Sequence, residues 1–107
     1  MEIFINDIKY TDMKDLSVQL EFAIACARVG GKELIGLRCV VAENCARFKN
    51  GVSKILRGMK KDGIVQLFVF DDGLLAKEST ESIFMLNKFP ELSDFSKGLE
   101  NLVYVKL

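Results

Sequence analysis

The 107-residue sequence predicts an α/β domain: a mixed or mostly parallel four-stranded sheet with helices on both faces, in the order β-α-β-α-β-α-β. Three observations carry the prediction. Leu34–Ala42 and Ile64–Phe70 are nearly unbroken apolar runs rich in branched and aromatic residues, as strands covered on both faces must be. Other segments repeat their apolar residues at helical spacing. Turn and cap residues fall between the two kinds of segment, at Asn6-Asp7, Gly30-Gly31, Asp62-Gly63 and Pro90. Strands alternating with helices imply right-handed crossovers. With no repeat, linker or low-complexity run, residues 1–107 read as a single domain.

Met1–Ile5 alternates weakly and is expected to be a short strand, ended by Asn6-Asp7. Asp12 is the expected N-cap of a helix that runs to about Val29, with Asp15 in the first turn and Gly30-Gly31 at the C-cap. Leu16, Leu20, Ala23 and Ala27 form its sheet-facing stripe. Val18, Phe22, Ala25 and Val29 form a second stripe, which needs cover from the segment Ser82–Leu92 or from a second molecule. Val52, Ile55, Leu56 and Met59 line one face of the next helix, Val52–Lys61, while Lys54, Arg57 and Lys61 centre on the other. After the Ile64–Phe70 strand, Asp71-Asp72-Gly73 reads as a turn. Ser79 or Thr80 then opens a helix to Phe89, Pro90 breaks it, a short helical turn spans Glu91–Lys97, and Asn101–Leu107 is the last strand.

Composition excludes several function classes. No histidine or tryptophan is present, which removes the commonest general base, the usual zinc ligand and any Ser-His or Cys-His nucleophile pair. No apolar run approaches the roughly 18–20 residues needed to cross a bilayer. The first residues do not resemble a secretory signal and the three cysteines cannot all pair, so a cytoplasmic location is expected. Cys26, Cys39 and Cys45 have no metal-site spacing, and neither a metal nor any other cofactor is expected. Cys45, beside Arg47 and Lys49, is a candidate reactive thiol on charge grounds, against an ordinary loop residue. Asp71-Asp72 follows a buried strand, where magnesium could bind, although a glycine-containing turn uses the same residues for local reasons.

Charge is segregated. The fifteen basic and fifteen acidic residues cancel, yet Asn44–Lys61 contains Arg47, Lys49, Lys54, Arg57, Lys60 and Lys61 and no acid. Such a run sets up a local positive field on a neutral molecule. Arg47, Lys49, Lys54, Arg57 and Lys61 are therefore the candidate nucleic-acid-binding residues, unless they are only a solvated helix face.

The succession of segments resembles the small MutS-related (Smr) domain in a compact bacterial form. The residues that carry the resemblance are Leu16–Val29, Gly31-Lys32-Glu33-Leu34-Ile35, Asn50-Gly51-Val52, Ile64–Val69, Phe89-Pro90-Glu91-Leu92 and Asn101–Val105. It implies the fold and a basic helix that meets nucleic acid. The family's histidines are missing: Ala42 stands at one position and Asn6-Asp7-Ile8 at the other motif. Glu43, Cys45 and Phe48 replace the loop glycines that let backbone amides approach a phosphate, and Glu43 adds negative charge there. The nuclease activity of some members is thus not expected here.

Two hypotheses lead. One is a non-catalytic Smr-like domain that engages RNA or DNA through the basic helix. The other is a homodimerising interaction module built on Val18, Phe22, Ala25 and Val29. An enzyme using Asp71 and Asp72 with magnesium ranks behind both.

Overall fold

The structure is a computed structural model that describes residues 3–40, 45–77 and 79–107. Its elements are β1 (Phe4–Ile8), α1 (Met13–Val29), β2 (Leu34–Cys39), α2 (Cys45–Lys61), β3 (Leu67–Phe70), α3 (Asp71–Ala76), α4 (Thr80–Lys88), α5 (Leu92–Phe95) and β4 (Leu102–Lys106). The sheet order is β1-β2-β4-β3. β1 and β2 are parallel, whereas β4 lies between β2 and β3 and is antiparallel to both. The sheet is therefore mixed rather than mostly parallel. The chain from β3 to β4 forms three short helices on one face and returns in the opposite direction.

Strand alternation sorts the core into two layers. Ile8, Ile35, Leu37, Val103, Val105 and Phe70 face α1 and α2, which contribute Leu16, Leu20, Ile24, Val52 and Leu56 among others. Leu34, Val69, Leu102 and Tyr104 face the other way and meet Leu74, Met85, Phe89 and Leu92 of the three short helices and the α4–α5 turn. Both 17-residue helices end alike. Lys32 donates its N–H to Ala27 O and Gly31 to Arg28 O; Ile64 donates to Met59 O and Gly63 to Lys60 O. Gly31 and Gly63 sit at φ +70° and +76°, where a side chain would be strained.

Several boundaries move. β1 continues through Asn6 and Asp7, which pair with Leu37 and Arg38 of β2, and the Asp7 carboxylate binds Arg38 at 2.8 Å. The pairing partner overrides the turn preference of Asn-Asp. α2 starts at Cys45 instead of Val52, so Cys45, Phe48 and Lys49 belong to a helix and not to a loop. Gly51 is tolerated inside it because a Cβ there would stand 2.7 Å from Met13 Cε: the glycine lets α1 and α2 approach. Asp71-Asp72-Gly73 forms the first turn of α3, not a reverse turn. β2 ends at Cys39 and β3 begins only at Leu67. In α1 the third buried side chain is Ile24 rather than Ala23, which is half-buried. The Ser82–Leu92 segment does not cover the second stripe of α1. Met85, Phe89 and Leu92 pack on the opposite face of the sheet, and Phe22 stays 71% exposed.

A candidate nucleic-acid interface on the second helix

α2 lies between α1, which Gly51 touches, and β3, whose Phe70 ring has Lys49 Nζ 5.3 Å from its centre. Phe48, Val52, Leu56 and Met59 fix its rotation by burial in the core. The cations are distributed by that rotation. Arg47, Lys54, Arg57, Lys60 and Lys61 are exposed. Lys49 is half-buried and donates to Asp72 Oδ2 at 2.5 Å. The Lys49 charge is thus neutralised inside the fold, and the carboxylate that does it comes from the first turn of α3.

The five candidate cations do not form one site. Lys49 and Arg57 share a groove beside β3 with Lys60, Phe68 and Phe70; Asp72 and Glu81 line its other side. Arg47 instead borders a cavity of about 470 Å³ at the carboxyl ends of the parallel pair β1 and β2, with Lys9, Tyr10, Asp12 and Cys39. Lys54 and Lys61 point to solvent outside both hollows. Lys60, part of the basic run but not among the five candidate binding residues, is three residues from Arg57 and therefore on its side of the helix. Lys9 carried no sequence signal, since its place beside Arg47 depends on the β1–α2 arrangement.

In the cavity at the strand ends, burial raises the Tyr10 phenol above its ordinary range; Cys39 adds to the effect and the nearby Arg47 opposes it. Asp12 is occupied as the N-cap of α1, accepting the N–H of Asp15 at 2.8 Å. Asp15 in turn accepts from Thr11 and Gln19, and these bonds hold its carboxyl below the usual carboxylate range. Ala42 and Glu43, which the Smr resemblance singles out, lie outside the described residues.

The acidic pair separates completely. Asp71 is fully buried: Oδ1 accepts the Tyr104 hydroxyl at 2.7 Å, and Oδ2 accepts the N–H groups of Lys97 and Leu99 at 2.9 and 2.8 Å. Its oxygens serve the fold and are not turned toward Asp72's partner. Among the described residues no group of three acidic, cysteine or histidine side chains could hold a metal ion. Of the second stripe of α1, Val18 and Phe22 line a groove against β1 together with Ala23 and Cys26, whereas Ala25 and Val29 are exposed outside it. No described helix is long and apolar enough to cross a membrane.

The chain matches no family model, no curated protein and no solved structure.

Proposed function

We propose that the chain is a non-catalytic, Smr-like domain that engages the phosphate backbone of RNA or DNA through α2. One observation carries the proposal: Arg47, Lys54, Arg57, Lys60 and Lys61 stand exposed on a single helix and, among the described residues, none has a carboxylate partner. A rigid helix holds such charges as a fixed field, available to an external polyanion. Lys49 contributes little because Asp72 already neutralises it. The Smr-like assignment is supported by the strand-helix-strand-helix-strand succession from β1 to β3 over the quoted segments. A reducing, cytoplasmic setting is supported by Cys26, a free thiol at the surface. The non-catalytic reading is supported by the cavity at the strand ends, where Asp12 is engaged by the helix cap and burial shifts the Tyr10 phenol further from ionisation.

Titration of fluorescent single- and double-stranded RNA and DNA should give micromolar binding at low salt. With three or four phosphate contacts, raising salt from about 50 to 200 mM should weaken binding roughly 40- to 150-fold for duplex DNA and roughly 20- to 50-fold for single strands. Arg57→Glu and Lys54→Glu should weaken every sequence alike, and Lys49→Gln should do so less. Absence of binding at low salt, or indifference to both reversals, rejects the proposal. Cleavage of RNA by the purified protein would reject its non-catalytic half.

A further inference from the structure

The two edges of the sheet are finished differently. Beside β3 the edge is walled by charge, with Arg57, Lys60, Glu81 and the Lys49–Asp72 pair lining one groove. Among the described residues β1 has a strand neighbour only on its β2 side, and its open side is flanked by apolar groups on the α1 face. On the α1 face, Phe4, Val18 and Phe22 are 51%, 57% and 71% exposed and border a groove of about 430 Å³ between strand and helix. On the other face, Ile3, Ile5, Phe95 and Lys32 border a second hollow of about 490 Å³, and the Lys32 ammonium stands 4.9 Å from the centre of the Phe4 ring, so the charge that guards this edge lies on the face away from α1. Open edges are ordinarily guarded by unpaired charge, proline or a bulge. Within β1 the one charged side chain, Asp7, is already bound to Arg38.

We propose that β1 and α1 form the two-fold interface of a homodimer, in which β1 pairs antiparallel with the β1 of a second copy and the α1 helices pack along Val18, Phe22 and Cys26. This goes beyond the nucleic-acid reading and does not depend on it. Charge selects the occupant. The groove offers no unpaired charged side chain, so neither a polyanion nor a charged peptide finds a counter-charge there, while another copy of the same neutral face matches it. Spacing selects it too. Val18, Phe22 and Cys26 are four residues apart, so an antiparallel copy sets Phe22 against Phe22 and Val18 against Cys26, as an isologous contact requires. Pairing β1 about Asn6 puts Ile5 opposite Asp7 and opposes no like charges.

Sedimentation or light scattering of the full chain, without nucleic acid and at roughly 100 µM, should give twice the 12.0 kDa chain mass. Phe22→Glu and Val18→Lys, both at exposed positions, should each weaken the dimer at least ~30-fold with unchanged circular dichroism, the loss expected of a central interface side chain. Ile83→Glu, at a 51% exposed site on α4 away from α1, should leave it intact. A monomer at that concentration overturns the proposal. So does a dimer that survives both α1 substitutions, or one broken instead by Phe84→Glu on α4. Loss of nucleic-acid binding in Arg57→Glu leaves the dimer mass unchanged, so the two proposals fail separately.

Discussion

Asp71 shows how much one buried carboxylate can organise. It collects a hydroxyl from β4 and two amides from the segment before it, and its own carbonyl accepts the Ser96 hydroxyl at 3.2 Å. Replacing it by asparagine keeps the volume but removes the charge and one acceptor oxygen, so either the two amides lose their acceptor or the Tyr104 hydroxyl must turn to accept instead of donate. We expect Asp71→Asn to cost about 3 kcal/mol or more and Tyr104→Phe about 1–2 kcal/mol, both read from urea unfolding. The Tyr104 phenol is pushed well above its ordinary range by burial and then by Asp71 beside it. A group whose folded value is raised stabilises the fold below its unfolded value, near pH 10, and ceases to do so as pH climbs toward the folded value. Wild type should therefore lose stability above about pH 10 more steeply than Tyr104→Phe. Sequence alone could not separate Asp71 from Asp72. Both fit turn chemistry, and the groups that distinguish them come from positions 26 to 33 residues later.

Among the elements, those with a strong period were read correctly from the sequence. Val52, Leu56 and Met59 are buried as the α2 spacing required, and Gly31 and Gly63 close the two long helices. Errors gathered where a local signal was outweighed by a distant contact. The apolar period and the Smr resemblance start the helix at Asn50-Gly51-Val52, but Gly51, a poor helix former, lies inside it, where its missing Cβ admits Met13 and Leu16. Two glycines of α2 therefore respond differently to the same change. At Gly58 nothing lies within 4 Å of an added Cβ, so Gly58→Ala should stabilise by about 0.5–1 kcal/mol and raise the melting temperature. Gly51→Ala gains the same helix preference but must displace Met13 and press on Leu16, and should end up below Gly58→Ala in a thermal melt. The candidate site was read in part. The run of cations was plain in the sequence, but their division between a groove, a cavity and open solvent depends on which neighbours α2 acquires, and the Lys49–Asp72 pair spans 23 positions.

Considered as one body, the domain is held together by β4, whose ladders join the parallel pair β1–β2 to β3. A second copy added at β1 would leave this ladder system untouched and would place α1 and α2 of both copies in one helical layer, with both cationic helices on the same side. The two layers that cover the sheet are unequal. One consists of two 17-residue helices, the other of helices of 6, 9 and 4 residues. Short helices have little internal cooperativity and rely on their docking. The molecule accordingly has a firm side and a loose side, with Asp71 as the latch between the loose side and the sheet. In native-state hydrogen exchange, amides of α4 and α5 should exchange through partial opening, at a free energy below that of α1 and α2, which should exchange with global unfolding. Tyr104→Phe should widen that difference, so that loosening the latch lets one cover of the sheet breathe while the cationic helix on the other side keeps its shape.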